Sequence, residues 1–426
     1  MNITLNPVKA INGRLTVPGD KSISHRALML AAVAEGESRI TGLSAGADVQ
    51  STRQCLQQLG VAIQAEDDNV LVHGKGFTGL RPAPQALDAG NSGTTMRLLS
   101  GIVAGCPFTT MMHGDVSLSR RPMKRIIEPL QRMGARLAAT PAGTAPLTIQ
   151  GGNLQGIRYE MPIASAQVKS CILFAGLQAE GETIVIEPQS TRDHSERMLA
   201  AMGADLYITA NAVTIRPGRL QPTTTNVPGD FSSAAFFIAA AALLPHSDLT
   251  LTNINFNPTR IGLLRVMQEM GAQIDIEELG ASSGEPLANL RVQYSPLQTI
   301  ALNSQQIPQL IDEIPILAVL ATQAEGQTYI SGAQELRVKE SDRLAALAKN
   351  LLAMGARVEE LPDGLIITGP TRLHGAAIDS FGDHRIAMAF AIAGLCADSA
   401  TTILHAECAA ISFPGFFELL EKHCVS

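Results

Sequence analysis

The sequence predicts an α/β protein with two similar domains, each built from three βαβαββ modules. The first observation behind this prediction is a helix-to-strand phrase that recurs about every 70 residues. In each phrase an amphipathic stretch ends in Leu or Met, followed by a glycine and an apolar, β-like segment. Apolar residues at helical spacing before a glycine are typical of a helix that ends in a left-handed C-cap and leads into a strand. The glycines of five phrases, at intervals of 74, 69, 68 and 84 residues, are Gly60, Gly134, Gly203, Gly271 and Gly355.

Between these phrases lies a second helix that is apolar on nearly all sides, and such a helix has to be buried. Each module thus runs strand, buried helix, strand, amphipathic helix, strands. A sixth amphipathic segment, Phe416–His423, closes the chain without room for a following strand. The predicted buried helices are 26–34, 96–104, 168–177, 233–244, 314–324 and 386–395.

The second observation is the tetrapeptide Val-Pro-Gly-Asp, which begins at Val17 and recurs 210 residues later at Val227. That separation equals three modules, and each copy leads into the start of a Ser-bearing helix. The chain is therefore predicted to form two halves of three modules with Pro-Gly linkers between them. Two hinged globules with a cleft are the favoured arrangement. A single closed ring of six modules is the alternative that periodicity leaves open.

Composition excludes several classes of protein. The 426 residues are 46% hydrophobic and 17% charged, as in a globular chain, and length alone would allow about three domains. With 32 Lys and Arg against 39 Asp and Glu, the net charge of −7 opposes non-specific binding to nucleic acid or anionic lipid. The six cysteines are far apart, the histidines show no metal-ligand spacing, and there is no signal or membrane-spanning pattern. We therefore expect a cytoplasmic protein without metal, nucleic-acid partner or membrane contact.

The polar residues gather where helices begin. A helix N-terminus carries free N–H groups and partial positive charge, so it attracts anions, and an arginine there is unfavourable by about 0.3–1 kcal/mol. The arginines at these positions therefore need an anion, either an internal carboxylate or a ligand with several negative charges. Four side chains are predicted to act as ordinary N-caps: Asp48, Ser232, Asp342 and Asp383. The arginines are Arg26, Arg121, Arg343 and Arg385.

Two carboxylates, Asp312 and Glu340, occur among these cations. Each could simply form a salt bridge. Alternatively, one could act as a base and the other as an acid or relay, since a positioned proton-transfer group typically contributes about 10²–10⁴ in rate. The residues alone do not divide these roles.

The chain resembles the 3-phosphoshikimate 1-carboxyvinyltransferase (5-enolpyruvylshikimate-3-phosphate synthase, EPSP synthase) family from about residue 5 to residue 417. The resemblance implies the enolpyruvyl transferase fold, an inside-out α/β barrel of two domains. It assigns the first residues, up to about Gly19, to the second domain. The implied domains are 20–226 and 1–19 plus 227–426, with hinges near Pro18 to Asp20 and near Val227 to Asp230. The matching motifs are PGDKSISHR at 18–26, GNSGTTMR at 90–97, RP at 121–122, RVKESDR at 337–343 and DHRIAM at 383–388.

The resemblance implies a transferase of aromatic amino acid biosynthesis. Such an enzyme moves the enolpyruvyl group of phosphoenolpyruvate to the 5-hydroxyl of shikimate 3-phosphate and releases phosphate, without a cofactor. Asp312 then resembles the base at the 5-hydroxyl, Glu340 the group that protonates the methylene carbon, and Lys21 a third catalytic group. The implied shikimate 3-phosphate contacts are Lys21, Ser22, Arg26, Ser165, Ala166, Gln167, Arg192, Asp312 and Lys339. The implied phosphoenolpyruvate contacts are Lys21, Gly93, Arg121, Gln167, Arg343, His384 and Arg385.

The chain departs from many family members at three places. It has Ser92, Thr95 and Leu98 in the glycine-rich turn, a pattern like the family's other bacterial branch, which leaves the response to glyphosate open. A lysine that some members use near the C-terminus is absent. Arg192 stands near the place of a tyrosine that some members set over the shikimate ring.

The nearest alternative is the sister enzyme that acts on UDP-N-acetylglucosamine. It typically has a loop cysteine just before an arginine, and residues 114–122 contain no cysteine. A non-catalytic anion-binding scaffold would explain the repeats and arginines but not the carboxylates among them. We expect a monomer with small-molecule substrates.

Overall fold

The protein divides into two compact units in a computed structural model that describes residues 1–66 and 69–425. The first unit comprises Gly19–Pro228 and Ala281–Glu285, and the second comprises Met1–Pro18, Gly229–Gly280 and Pro286–Ser426. The chain therefore passes from one unit to the other beside both copies of the repeated tetrapeptide. Residues 281–285, which the repeat count assigns to the second domain, belong to the first unit. Hinge motion at these positions stays a prediction.

Helices and strands alternate along the described residues. The helices are α1 (Lys21–Val33), α2 (Ala47–Gln58), α3 (Gly93–Val103), α4 (Lys124–Arg132), α5 (Ala166–Gly176), α6 (His194–Ala201), α7 (Phe231–Leu243), α8 (Gly262–Glu269), α9 (Ile307–Leu310), α10 (Ile314–Gln323), α11 (Arg343–Ala353), α12 (His384–Leu395) and α13 (Phe416–His423). The strands are β1 (Ile3–Leu5), β2 (Ala10–Leu15), β3 (Glu35–Thr41), β4 (Ala62–Glu66), β5 (Asn69–Lys75), β6 (Leu87–Asp88), β7 (Thr109–His113), β8 (Arg136–Ala138), β9 (Leu147–Gln150), β10 (Arg158–Glu160), β11 (Thr183–Ile186), β12 (Leu206–Ile208), β13 (Ala212–Ile215), β14 (Thr224–Asn226), β15 (Asp248–Asn255), β16 (Gln273–Ser282), β17 (Glu285–Gln293), β18 (Ala301–Leu302), β19 (Gly326–Ile330), β20 (Arg357–Leu361), β21 (Gly364–Gly369), β22 (Ala377–Asp379), β23 (Thr401–Leu404) and β24 (Cys424–Val425).

Four sheets share one pattern. They have the orders β14-β3-β5-β4, β6-β7-β9-β8 and β10-β11-β13-β12 in the first unit and β18-β19-β21-β20 in the second. In each, the first two strands pair in parallel and the last two pairings are antiparallel. A helical crossover joins the two parallel strands in every sheet except β14-β3-β5-β4, where β14 comes from a distant part of the chain. The predicted α/β fold of βαβαββ modules is thereby confirmed.

The strand that precedes the first helix of each half is exchanged. β2, before α1, pairs in parallel with β15, whereas β14, before α7, pairs in parallel with β3. The two chain passages have matching backbone hydrogen bonds. The amide of Asp20 donates to the carbonyl of Pro228 at 2.7 Å, and the amide of Asp230 donates to the carbonyl of Pro18 at 2.9 Å. The first and fourth modules therefore each contain a strand from the far half of the chain.

The last module is completed from both ends of the chain. β1 pairs antiparallel with β23, next to the parallel strand β22, in a sheet of order β1-β23-β22. After α13 the chain does form a short strand, β24, which pairs with β2 in the sheet β16-β17-β15-β2-β24. The prediction that no strand follows the final helix is therefore wrong, because Cys424 and Val425 form one.

The repeated glycines end the amphipathic helices as predicted. All five have positive φ angles, between 82° and 106°, at Gly60, Gly134, Gly203, Gly271 and Gly355. That left-handed backbone is strained for a residue with a Cβ atom, so each phrase needs glycine at this position. The periodicity of the sequence is thus a periodicity of helix ends.

Each unit has one hydrophobic core, filled by the apolar helices. In the first unit α1, α3 and α5 are buried along nearly their whole length, and in the second unit α7, α10 and α12 are. Helix α7 is buried from Phe231 to Ala242, which explains why its sequence has no polar face. Because these helices are held on all sides, their first turns are fixed in place, and those turns carry the polar residues considered below.

Candidate active site

The first helix of the first unit begins with a cation held by a carboxylate. Asp20 caps α1, since its side chain accepts from the amide of Ile23 at 2.9 Å. Lys21 donates from Nζ to Asp48 Oδ2 at 3.0 Å. The prediction that Asp48 caps a helix is wrong, because Gly46 is the N-cap of α2 and Asp48 lies inside its first turn. Asp48 instead orients Lys21. Ser22 follows Lys21 and is half-buried.

Arg26 lies one turn further along α1, with only 3% of the residue exposed. Its partners are neutral: Nε donates to Ser195 Oγ at 2.7 Å, Nη2 to Ser170 Oγ at 2.9 Å, and Nη1 to the carbonyl of Ser22 at 2.9 Å. Burial lowers the pKa of Arg26 to about 10, against the opposing effect of Glu196. Arg192, which is half-buried, lowers it further. Arg26 is thus a fixed cation whose direct hydrogen bonds bring no negative charge.

The start of α5 carries three of the predicted contacts. Ser165 is the N-cap of this helix and accepts from the amide of Val168 at 3.4 Å. Ala166 follows it as the first helical residue. Gln167 accepts from Arg97 Nη1 at 2.7 Å and donates to Thr94 Oγ1 at 2.9 Å. The amide of Gln167 is therefore fixed in orientation against the first turn of α3.

Gly93 is the first residue of α3, and guanidinium groups crowd against it. A Cβ atom at this position would lie 2.7 Å from Nη1 of Arg97 and 3.6 Å from Nη1 of Arg121. Arg121 Nη2 donates to Asn91 Oδ1 at 2.7 Å and to Ser117 Oγ at 3.1 Å. A side chain at this position would therefore push against the guanidinium of Arg97 and take up space beside two cations.

In the second unit, Arg343 is the centre of the site. The residue is 1% exposed, at the start of α11. Its guanidinium donates to Asp383 at 2.8 Å and to Glu340 at 2.7 Å, and Nη1 lies 3.5 Å from Asp312 Oδ1. Burial by itself would lower the pKa of Arg343, but Asp383, Glu340 and Asp312 outweigh it and raise the pKa. Arg343 is therefore charged, and it holds both candidate proton-transfer carboxylates.

Arg385 approaches Asp312 from α12. Its Nη1 donates to the carbonyl oxygen of Asp312 at 3.0 Å, and its Nε lies 3.7 Å from Asp312 Oδ1. His384 precedes it and is 2% exposed. Lys339 and Glu340 lie in the segment before α11, both half-buried. The structure thus gathers Asp312, Glu340, Arg343 and Arg385 into one cluster.

Two of the predicted N-caps of the second unit are confirmed, and one is wrong. Asp342 caps α11 and Asp383 caps α12, accepting from Ala345 and Arg385 amides respectively. Burial would raise the pKa of Asp383, but Arg343 outweighs it and holds the pKa below its ordinary value. Ser232 is not a cap, because Asp230 caps α7 and the hydroxyl of Ser232 donates instead to Glu313.

The side chains that hold the candidate site residues in place could not be predicted from the sequence. In the sequence, Ser170 and Ser195, which hold Arg26, look like ordinary helical serines. Arg260 and Glu313 stand out only as polar residues at helix starts. Burial of all four is a tertiary property, so the spacing of residues carries no signal for it. In the second unit the buried Arg260 contacts Asp230, Ser232 and Glu313.

The described residues show no group of three or more His, Cys, Asp or Glu side chains arranged to hold a metal ion. Within the same residues, none of the helices is long and apolar enough to cross a membrane.

Comparison with known proteins gives a consistent result along the whole chain. The family described as EPSP synthase (3-phosphoshikimate 1-carboxyvinyltransferase) matches residues 5–420. A 3-phosphoshikimate 1-carboxyvinyltransferase of Bacillus cereus is 49% identical over 422 residues, covering 98% of this chain and 98% of the relative. The protein of the same name from Desulforudis audaxviator is 50% identical over 425 residues and 99% of both chains.

Solved structures agree with these relatives. An EPSP synthase from Acinetobacter baumannii is 45% identical and superposes with a TM-score of 0.90, covering 100% of this chain and 98% of that one. The enolpyruvyl transferase NikO from Streptomyces tendae is only 19% identical, with a TM-score of 0.81 over 99% of this chain and 96% of its own, and so shares the fold. The modules, the motifs and the full-length identity lead to one conclusion: this chain belongs to the EPSP synthase (3-phosphoshikimate 1-carboxyvinyltransferase) family.

Proposed function

We propose that this protein transfers the enolpyruvyl group of phosphoenolpyruvate to the 5-hydroxyl of shikimate 3-phosphate and releases phosphate. One observation carries the proposal. A single buried guanidinium, that of Arg343, lies 3.5 Å from Asp312 and 2.7 Å from Glu340. Two carboxylates fixed on one cation supply the two proton transfers that addition to an enol phosphate requires.

In the addition step, Asp312 takes the proton of the 5-hydroxyl, whose oxygen forms a bond to C2 of phosphoenolpyruvate. Glu340, which enters this step in its protonated form, gives that proton to C3, which turns the methylene into a methyl group. The product is a tetrahedral intermediate with the phosphate still attached to C2. Arg343 and Arg385 balance the negative charge of the carboxylate and phosphate of phosphoenolpyruvate during this step.

In the elimination step, the bond between C2 and the phosphate oxygen breaks, and a methyl proton returns to Glu340. The double bond forms again, now in the transferred group, and phosphate leaves with the proton that Asp312 held. No covalent bond to the protein is needed. The steps use side chains already present, in keeping with a reaction that requires no cofactor.

The first unit supplies binding groups. We assign Lys21, Ser22 and Arg26 to shikimate 3-phosphate. For Arg26 the reason is that its hydrogen-bond partners are hydroxyls and a carbonyl, which bring no negative charge to the guanidinium. Arg121 and Gly93 are assigned to phosphoenolpyruvate, since the guanidinium groups of Arg97 and Arg121 both lie close to the Cα of Gly93, where no side chain separates them. The remaining assignments are Ser165, Ala166, Gln167, Arg192, Asp312 and Lys339 for shikimate 3-phosphate, and Lys21, Gln167, Arg343, His384 and Arg385 for phosphoenolpyruvate.

The test is an assay of phosphate release. We expect phosphate only when shikimate 3-phosphate and phosphoenolpyruvate are both supplied. Turnover with UDP-N-acetylglucosamine instead would identify the sister activity, although its loop cysteine is missing from residues 114–122. Anion binding without turnover on either acceptor would point to a scaffold. We also propose that the enzyme acts as a monomer in the cytoplasm.

A further inference from the structure

A further carboxylate, beyond the three around Arg343, lies next to the cluster of the second unit. Glu313 follows Asp312 directly and is 1% exposed, at the N-cap of α10. Its Oε1 accepts from the hydroxyl of Ser232, lies 3.2 Å from Arg260 Nη1 and lies 3.9 Å from Arg385 Nη1. Glu313 therefore stands between one arginine that is wholly internal and one that approaches the candidate base.

We propose that Glu313 is a positioning residue, which holds Arg385 away from the carboxylate of Asp312 and so leaves that carboxylate available as the base. The inference rests on the proposed function for the role of Asp312. Nothing in the mechanism above uses Glu313, which is buried and lies 3.9 Å from Arg385.

The geometry around Arg385 supports this role. Nη1 of Arg385 is held on the backbone carbonyl of Asp312 at 3.0 Å, while Nε is 3.7 Å from the Asp312 carboxylate, beyond hydrogen-bond distance. A buried guanidinium gains most from a close, bidentate carboxylate. With the charge of Glu313 removed, the attraction of Asp312 is no longer opposed from the other side, and the guanidinium is expected to turn onto that carboxylate.

The environment of Glu313 shows that its charge matters more than its hydrogen bonds. Oε2 is buried and has no hydrogen-bond partner among the described residues, which is unfavourable for a polar atom. A group present only to bond Ser232 would not need that second oxygen. The negative charge, in contrast, has two guanidinium groups to balance, those of Arg260 and Arg385.

The first test is Glu313→Gln, which keeps the shape and removes the charge. We expect KM for phosphoenolpyruvate to rise about tenfold and kcat to fall several-fold, with KM for shikimate 3-phosphate changed by less than about twofold. Glu313→Asp retains the charge with a shorter side chain, and it should recover part of the loss. If Glu313→Gln does not fold, Glu313→Asp should itself raise KM for phosphoenolpyruvate relative to the wild type.

The matched control is Asp230→Asn, because Asp230 contacts the same Arg260, at 3.3 Å, from the start of α7. This variant should lower Tm while KM for phosphoenolpyruvate stays within about twofold. A purely structural role for Glu313 would give the same pattern in both variants. An unchanged KM for phosphoenolpyruvate in a folded, active Glu313→Gln protein would therefore overturn the inference.

A second readout does not depend on turnover. In a crystal structure of Glu313→Gln, the Arg385 guanidinium should lie closer to the Asp312 carboxylate than the present 3.7 Å. An unmoved Arg385 would overturn the inference even if the wild type were active. Absence of phosphate release by the wild type would instead contradict the proposed function and leave the position of Arg385 to decide the role of Glu313.

Discussion

Arg26 in the first unit and Arg343 in the second are almost equally hidden from solvent, at 3% and 1% exposure, and both lie near a helix start. Their partners differ in kind. Hydroxyls and a carbonyl hold Arg26, whereas three carboxylates surround Arg343. The pKa of Arg26 is lowered mainly by burial, and that of Arg343 is raised by its carboxylates in spite of burial.

This difference in partners indicates different roles for Arg26 and Arg343. Burying a cation costs free energy unless negative charge comes with it, and direct contacts with hydroxyls do not supply that charge. An arginine in the position of Arg26 gains most when an anionic ligand arrives. Arg343 already has three carboxylates around it, so it orients them in addition to making the phosphoenolpyruvate contact proposed above. Binding and proton transfer thus use the same residue type in two electrostatic states.

The largest effect is expected from Asp312→Asn in the second unit. The amide cannot accept the 5-hydroxyl proton, so kcat should fall by about 10²–10⁴ while both KM values change little. The measurement is steady-state phosphate release. Asp275→Asn, at a side chain that is 79% exposed in the same unit, is the control and should leave kcat unchanged. A variant that loses affinity but keeps kcat would contradict the division of roles.

A smaller effect, on binding, is expected in the first unit. Arg26→Ala should raise KM for shikimate 3-phosphate by about 10–10² through loss of a charge-assisted contact, with kcat reduced much less. Ser195→Ala removes one hydroxyl that orients the guanidinium and should give the same change at a few-fold size. Arg39→Ala, an exposed pair with Glu66 in this unit, serves as the control. A fall in kcat at unchanged KM would place Arg26 in the chemistry instead.

The smallest effect is a pH dependence. Because the pKa of Arg26 is lowered to about 10, the affinity for shikimate 3-phosphate should fall up to about tenfold per unit as pH rises above that value. The free energy of unfolding changes in the opposite direction. Below about pH 10 the folded protein has to bury a charged guanidinium, which destabilises it. Above that pH the folded state loses the proton of Arg26 before the unfolded state does, so this group destabilises the fold less as the pH rises.

The affinity for shikimate 3-phosphate, measured between about pH 8 and 11, should therefore weaken as the pH rises. The deprotonation of Arg26 should not lower the free energy of unfolding over the same range. Arg26→Ala provides the reference, because the part of the decline that Arg26 causes should disappear in it. The same decline in wild type and variant would mean that Arg26 does not titrate in this range.

Much of the fold could be predicted because local sequence patterns determine where its helices begin and end. The spacing of apolar side chains along each helix predicted the helices, and glycines with left-handed backbone predicted where they end, as at Gly203 and Gly355. Strand partners depend on distant segments, so the exchange of β2 and β14 left no trace in periodicity. Caps were harder, because several suitable residues lie within a few positions, as with Ser232 beside Asp230.

The site could be predicted in part for a similar reason. Asp312, Glu340 and Arg343 stand out as charged residues at the starts of apolar helices. The adjacent Glu313 is also acidic, and only the packing of α10 decides that one carboxylate faces Arg343 while its neighbour faces Arg260. Ser170 and Ser195 become contacts only when α1, α5 and α6 are assembled.

The exchanged strands also set an order of assembly during synthesis. Every strand of the three first-unit sheets lies before residue 227, since β14 ends at Asn226. Those sheets can form once that residue has left the ribosome. β2, though made among the first residues, has to wait for β15 at residues 248–255 before it gains its parallel partner. The side chains of β2 that are buried in the folded protein, Ala10, Ile11 and Leu15, therefore lack that partner through more than half of translation, and a chaperone could protect them during this time.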